Sequence, residues 1–228
     1  MKSSLSFLLV LAALMGASVP SAGGDSPAFT IARLKYAGGG DWYSDPTSLP
    51  NLLAGCRERL ELDTPSEEKT LMLDDLDLFQ YPFLYLTGHG NVKFSDTEVE
   101  RLRKYLTSGG FLWCDDNGPD RDSLDKYFRR EMNKVFPEQQ LRPLPFDHPI
   151  YHLVYDFESG PPRIHDHYKD EPPKGFGLFH EGRLVVFYTW NSDIGDGLEN
   201  PEVHRDPPDK REAALRMAIN VVAYVLSY

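Results

Sequence analysis

The chain has 228 residues, of which 24 are basic and 35 acidic, and its formal net charge is −11. An acidic balance without a basic block excludes a protein that binds nucleic acid by neutralising phosphates. Two cysteines exclude a disulfide-dense scaffold or a Cys-rich zinc module, and 41% hydrophobic residues suffice for the core of one domain of this length.

The N-terminal residues have the pattern of a secretory signal peptide. Lys2 precedes an apolar run from Leu5 to Met15, and small residues follow it up to Ala22. This run is shorter than the roughly 20 apolar residues of a spanning helix. We expect a signal peptide over residues 1–22, an exported domain over residues 23–228 without a transmembrane span, and a periplasmic or extracellular location. An uncleaved membrane anchor is the alternative.

Strands alternate with helices in the first half of the mature chain. The continuous apolar segment 83–87 is typical of a strand that is buried on both faces of a parallel sheet. Ser95 and Glu98 form a capping box that predicts the start of a helix. The predicted strands are 29–36, 69–73, 83–87 and 111–114, and the helices begin near Pro50, Ser95 and Leu124. This order predicts a three-layer, flavodoxin-like α/β sandwich with a mostly parallel sheet.

The second half of the chain is less regular. Residues 137–173 are predicted to be mostly loop, and residues 175–179 and 183–190 are predicted to form a hairpin around His180-Glu181-Gly182. A final helix is predicted with Asp209 and Glu212 as its capping residues. Its inward face is predicted to carry Leu215, Ile219, Val222 and Leu226.

Polar residues follow four of the predicted strands. In open α/β sheets, ligands bind outside the carboxyl ends of the strands, so these segments are expected to converge. The candidate ligand-binding residues are Asp41, Gly88, His89, Gly90, Asn117 and Asn191. The candidate catalytic residues are His89, Asp115 and Asp116, because imidazoles and carboxylates exchange protons near neutral pH.

Several of these side chains are also candidate ligands of a divalent metal ion. Two adjacent carboxylates at the tip of a buried strand are costly unless something neutralises one of them. His165-Asp166-His167 in a strand would place both imidazoles on one face. The candidate metal ligands are Asp115, Asp116, Asp193, Asp196, His165 and His167. In the competing interpretation these segments are turns and solvated strand faces, and the loop that contains Glu199 and His204 is predicted to be only a solvated loop.

Two classes of function fit these candidates. One is a module that binds a metal ion or a small polar ligand such as a sugar. The other is a hydrolase in which the same His/Asp cluster holds a metal-activated or base-activated water. A surface that contacts another envelope protein is a further partner expectation, and the sequence leaves the oligomeric state open.

The combination of motifs resembles domain-of-unknown-function family 4159 over essentially the whole mature chain. The segments that carry the resemblance are 29–36, 81–90, 109–116, 128–132, 148–151, 182–188, 192–197 and 206–217. The resemblance implies a fold similar to class I glutamine amidotransferases and ThuA-like proteins. It implies no established activity.

In the amidotransferases a nucleophilic cysteine follows a strand near a glycine-rich oxyanion loop, and Cys114 and Gly88 to Gly90 fall near those places. The Gly-x-Cys-x-Gly elbow of that superfamily is replaced here by Leu112-Trp113-Cys114-Asp115-Asp116. The two carboxylates would raise the pKa of the thiol, so we expect Cys114 to be structural. Cys56 and Cys114 are either a disulfide or two buried thiols, since the sequence permits both.

Overall fold

The computed structural model describes residues 29–116, 124–165, 167–168 and 170–228. The predicted signal peptide and Asn117 lie outside these residues. The strands are β1 (Ile31–Leu34), β2 (Lys69–Leu71), β3 (Phe83–Leu86), β4 (Phe111–Asp115), β5 (Arg142–Pro143), β6 (Lys174–His180) and β7 (Arg183–Trp190). The helices are α1 (Ser48–Leu60), α2 (Asp96–Thr107), α3 (Leu124–Val135), α4 (Ile194–Leu198), α5 (Pro201–His204) and α6 (Pro208–Ser227).

The strands form one mixed sheet of seven strands in the order β2-β1-β3-β4-β7-β6-β5. The neighbouring pairs β2–β1, β1–β3, β3–β4 and β4–β7 are parallel, while β6 is antiparallel to both β7 and β5. The parallel part has the strand order of flavodoxin-like sheets. The carboxyl ends of β1, β3, β4 and β7 therefore lie at one edge of the sheet.

Side chains alternate across the sheet and build a core on each face. On β4, Leu112 and Cys114 pack into the core that α2 and α3 cover, whereas Phe111 and Trp113 pack into the core that α1 and α6 cover. This alternation follows from the two-residue period of a strand. The molecule is thus a three-layer α/β sandwich, as predicted.

The cysteines are free thiols. Cys56 belongs to the core of α1 and α6, and Cys114 to the core on the opposite face of the sheet. Because the sheet separates the two cores, the disulfide alternative is wrong and the buried-thiol alternative is correct.

The helix starts were predicted with mixed success. The Ser95–Glu98 capping box at the start of α2 is confirmed, with both reciprocal hydrogen bonds present. At the start of α6 the N-cap is Pro207 and no side chain caps the helix, so Asp209 and Glu212 are not capping residues. Leu226 is 48% exposed instead of facing inward, because it lies in the last turn of α6, beyond the part that the sheet covers.

The hairpin of β6 and β7 is confirmed. Glu181 and Gly182 both have positive φ, 49° and 83°, which is the backbone that a two-residue hairpin turn with the twist of the flanking strands requires. No helix in the described part of the chain is long and apolar enough to cross a membrane.

Candidate metal centre

The loops that follow β1 and β3 pair with each other where the sheet order reverses. The Lys93 N–H donates to Ala37 O at 2.8 Å, and the Asp41 N–H donates to His89 O at 3.2 Å. Asp41 in turn accepts the backbone N–H of His89, and its Oδ2 lies 3.0 Å from His89 Nδ1. A Cβ on Gly88 would lie 2.5 Å from the Tyr36 hydroxyl, so the close approach of these loops requires glycine there.

These contacts place the predicted residues Asp41, Gly88, His89 and Gly90 together at the ends of β1 and β3. His89 is half-exposed and is held by a carboxylate of the neighbouring loop. The contacts of this group join the two loops to each other. The His/Asp cluster that contains Asp193 lies at the end of β7, beyond β4 in the strand order.

Asp115 ends β4 and is completely buried. It accepts hydrogen bonds from the Thr189 hydroxyl and from the Gly195 N–H, the latter at 2.6 Å. Burial, reinforced by the nearby Asp193 carboxylate, raises the pKa of Asp115 well above its ordinary value. Asp115 therefore joins β4 to the start of α4, and its environment favours the protonated form.

Asp116, the next residue, is also completely buried. Its N–H donates to Thr189 O at 3.1 Å, which extends the pairing of β4 with β7. Both adjacent carboxylates thus lie at the sheet edge, as the sequence predicted. Burial raises the pKa of the neighbouring Cys114 thiol, and Asp116 and Asp115 add to this shift.

Gly195 allows α4 to begin in contact with these carboxylates. A Cβ at this position would lie 2.6 Å from Asp45 Oδ2 and 2.8 Å from the Tyr85 hydroxyl. Asp45 is buried in the loop before α1 and is an acidic residue of this region that the strand-end pattern did not predict. The sequence Asp193-Ile-Gly-Asp-Gly is therefore the start of a helix packed against buried acids.

Asp193 is the N-cap of α4 and has a left-handed backbone, with φ 59°. Its Oδ2 lies 2.8 Å from His167 Nε2 and 3.7 Å from His165 Nδ1. Burial alone would raise the pKa of Asp193, but the hydrogen bonds from His165 and His167 outweigh it and lower the pKa to about 2. Asp193 is therefore an ionised carboxylate between two imidazoles.

Three side chains come together beside Asp193. His165 Nδ1 lies 2.7 Å from Asp196 Oδ2, and His204 Nε2 lies 3.2 Å from Asp196 Oδ1. One ligand atom of each of these residues can be chosen so that all three lie within 4.8 Å of one another. The two imidazole rings meet edge to face, with centroids 5.3 Å apart. This group of His165, Asp196 and His204 is called the metal triad below.

Asp206 orients the ring of His165 from the other side. Asp206 Oδ1 lies 3.0 Å from His165 Nε2, and its side chain is 8% exposed. The hydrogen bonds with Asp193, Asp196 and Asp206 together raise the pKa of His165 to about 11. A carboxylate on the far nitrogen of a histidine is the arrangement that fixes ligating imidazoles in metalloproteins.

His167 lies between the metal triad and the end of β7. Its N–H donates to Asn191 Oδ1 at 3.0 Å, so the predicted residue Asn191 has a structural role in holding this loop. Burial lowers the pKa of His167, but the hydrogen bond with Asp193 outweighs it and the net shift is upward. His165 and His167 lie outside any strand, so the predicted strand is wrong, yet both imidazoles lie near Asp193.

His204 and Asp206 are the functional candidates that sequence reasoning missed. His204 ends α5, and Glu199, from the same loop, is 2% exposed and accepts the Thr47 N–H at 2.7 Å. The prediction of a merely solvated loop is therefore wrong for Glu199, whereas His204 is exposed. The one signal in the sequence was that His204 and Asp206 follow Asp193 by 11 and 13 residues, and only the tertiary structure brings them to His165.

The donor set of the metal triad is two imidazole nitrogens and one carboxylate oxygen. Such a set suits zinc and its first-row neighbours, whereas magnesium and calcium take oxygen ligands. Asp196 and His204 follow the carboxyl end of β7, at the sheet edge where the fold was expected to place a ligand.

Fold and site together define an α/β protein with a partly exposed His/Asp cluster at the sheet edge. A family model described as domain of unknown function (DUF4159) matches residues 30–226, and the chain belongs to this family. The resemblance to family 4159 is thereby confirmed. No curated protein matches the chain.

Proposed function

We propose that this protein binds a divalent first-row transition metal ion through His165, Asp196 and His204. The observation that carries the proposal is that ligand atoms of these three residues lie within 4.8 Å of one another. Ligands held about 2.1 Å from a single ion lie roughly 3 Å apart, so the triad needs only a small contraction. The carboxylate of Asp206 supports the proposal, because it orients His165 as a ligand is oriented.

The direct test is the metal content and zinc affinity of the purified protein. We expect EDTA-treated protein to bind one equivalent of Zn²⁺ in a calorimetric titration. Asp196→Asn and His204→Ala should each weaken binding by about 100-fold or more, because the first removes the negative charge of a ligand and the second removes a ligand.

The chain offers a matched control in His89, whose Nδ1 lies 3.0 Å from Asp41 as a His/Asp pair outside the triad. His89→Ala should leave the zinc affinity unchanged. Substoichiometric binding by the wild-type protein, or equal losses in His89→Ala and His204→Ala, would contradict the proposal.

A second candidate function is metal-assisted hydrolysis, which the position of His167 favours. Three protein ligands leave coordination positions for water. His167 and Asp193 stand beside the triad as an imidazole–carboxylate pair, 2.8 Å apart, with the geometry to accept a proton.

The test of this second candidate is turnover of an activated ester and a phosphodiester by the zinc-loaded protein. His167→Ala should lower kcat by about 100-fold while the bound zinc stays at one equivalent. Hydrolysis at the same rate by zinc-loaded wild type and Asp196→Asn would remove the hydrolase candidate and leave metal binding untouched.

A further inference from the structure

A groove of about 370 Å³ lies at the carboxyl end of β7 and the start of α3. Three aromatic residues form its walls: Tyr168, Phe176 and Trp190. Tyr168 stacks on Trp190, with ring centroids 4.8 Å apart and planes 14° from parallel. The groove therefore offers preformed apolar walls of the kind that hold the body of a small molecule.

Two cations lie on these walls. The Arg129 guanidinium carbon is 4.4 Å from the Phe176 ring centroid, and Lys174 Nζ is 5.0 Å from that of Trp190. A guanidinium stacked on a ring is weakly hydrated and fixed in orientation. It therefore loses little hydration and little conformational entropy when it binds an anion.

Among the described residues, the two terminal nitrogens of Arg129 have no hydrogen-bond partner. In the described part of the chain its one hydrogen bond runs from Nε to Asp125 Oδ1, at 2.7 Å. The N–H groups of the two terminal nitrogens form the fork that matches a carboxylate or phosphate with two parallel hydrogen bonds. Asp125 thus positions the guanidinium without occupying that fork.

We infer that this groove binds a small organic anion, with its carboxylate or phosphate group on the Arg129 fork and a ring-sized apolar body between Phe176 and Trp190. Lys174 lies at the same groove and is paired with Glu171, Nζ to Oε2 at 2.9 Å. The inference goes beyond metal binding and does not depend on it. The groove and the triad are neighbours through one loop, since His167 reaches Asp193 and the next residue, Tyr168, forms part of a groove wall.

The test uses the indole N–H signals of the protein's three tryptophans in a ¹⁵N spectrum. Trp190 lines the groove, whereas Trp113 is buried with its Nε1–H bonded to Thr189, and Trp42 lies in the loop between β1 and α1. Benzoate and phenyl phosphate are titrated into EDTA-treated protein up to about 10 mM, with benzyl alcohol as the neutral analogue.

We expect the Trp190 signal to shift with an anion and not with benzyl alcohol, while Trp42 and Trp113 stay in place. A response to phenyl phosphate alone identifies phosphate as the bound group, and a response to benzoate alone identifies carboxylate. Arg129→Gln should weaken binding by about tenfold or more, because it removes a charge-assisted bidentate contact.

Arg216 supplies the matched control, since it too pairs with a carboxylate four residues earlier and lies 5.0 Å from an aromatic ring, that of Tyr155, but outside the groove. Arg216→Gln should bind the anions as the wild type does. Arg129→Lys keeps the charge without the fork and should show an intermediate affinity, which tests the inference even if Arg129→Gln folds poorly.

The inference is overturned if benzyl alcohol shifts Trp190 as strongly as the anions do, if no probe shifts it, or if Arg216→Gln weakens binding as much as Arg129→Gln. Because the protein is free of metal in these titrations, their failure leaves the metal proposal standing. Conversely, failure of zinc binding leaves the groove unaffected.

Discussion

Asp206 contacts His165 and is not one of the proposed ligands, so its role in the proposed metal centre is to position that ring. It holds the ring of His165 through Nε2 at 3.0 Å, and its Oδ2 is a buried atom without a hydrogen-bond partner among the described residues. A buried oxygen of this kind carries its desolvation cost uncompensated. Its position beside His165 fits a carboxylate that orients and polarises that imidazole.

Replacing Asp206 by Asn should therefore weaken zinc binding by about 10-fold to 100-fold while the ligand set stays complete, because the outer carboxylate raises the basicity of the ligating ring. Calorimetric titration of the EDTA-treated variant measures this effect. The corresponding control is Asp156→Asn, since Asp156 Oδ1 lies 3.0 Å from His152 Nδ1 outside the cluster. Equal zinc affinity of Asp206→Asn and the wild type would show that Asp206 is not a positioning residue.

At the scale of elements, α3 is attached to the rest of the molecule by a buried carboxylate. Glu131 is completely buried and accepts the Phe94 N–H at 3.0 Å, in the segment that leads into α2. Arg130 and Lys134 each lie 2.7 Å from one of its oxygens. A charge at this depth is stable only because all of these partners are in place.

Glu131→Ala should lower the free energy of unfolding by about 3 kcal/mol, because it leaves a backbone donor unpaired and two cations without their anion. Urea denaturation measures the change. Glu138→Ala, which removes an exposed glutamate beyond the end of α3, should cost at most about 0.5 kcal/mol. Similar losses in the two variants would contradict the role assigned to Glu131.

The elements themselves were largely predictable, because their signals are local. The Ser95–Glu98 capping box and the positive-φ turn at Glu181-Gly182 each act within a few residues. The predicted strand 29–36 is longer than β1, since Ile31–Leu34 are the residues that pair with β2 or β3. Strand length is set by partners, which the sequence of one strand does not contain.

At the scale of the whole molecule, the sheet keeps the two thiols apart. Burial raises the pKa of Cys56 to about 12 and that of Cys114 well above its ordinary value, with Asp116 and Asp115 adding to the shift of Cys114. Neither thiol is therefore a nucleophile at neutral pH.

We expect the native protein to react with Ellman's reagent only at the rate of unfolding, and the denatured protein to release two equivalents of thiol. Fewer than two equivalents after denaturation under non-reducing conditions would indicate a disulfide. Fast reaction of the native protein would contradict the burial of the thiols, and a comparison with Cys114→Ser would identify which one is accessible.

The packing of α6 against the end of the sheet encloses a histidine that should make stability depend on pH. His148 lies between the Phe179 and Tyr224 rings, and burial lowers its pKa, against the opposing charge of Asp147. As pH falls below the ordinary histidine pKa of about 6.5, the unfolded chain takes up a proton before the folded protein does. The stability that neutral His148 contributes is therefore lost as the pH falls.

The free energy of unfolding should thus drop between about pH 7.5 and 5.5 by more in the wild type than in His148→Gln, which has no proton to take up. Urea denaturation of both proteins at the two pH values measures the difference. The raised pKa values of His165 and His167 act in the opposite direction in both proteins, so the comparison cancels them. An equal drop in the two proteins would contradict the assignment to His148.

The sequence by itself determined the α/β class, the family and the sheet edge at which polar residues gather, because periodicity, caps and turns are local and parallel strands end together. It also named Asp193, Asp196, His165 and His167. The likeness to the amidotransferase-like and ThuA-like fold, like the exported location, stays a prediction. Tertiary structure alone decided that His89 pairs with Asp41. It also decided that His204 and Asp206 complete the cluster, from a loop that the sequence predicts to be solvated. The physical reason is that a metal centre is defined by distances of a few ångströms between atoms, and those depend on how α4 and α5 pack back onto the sheet.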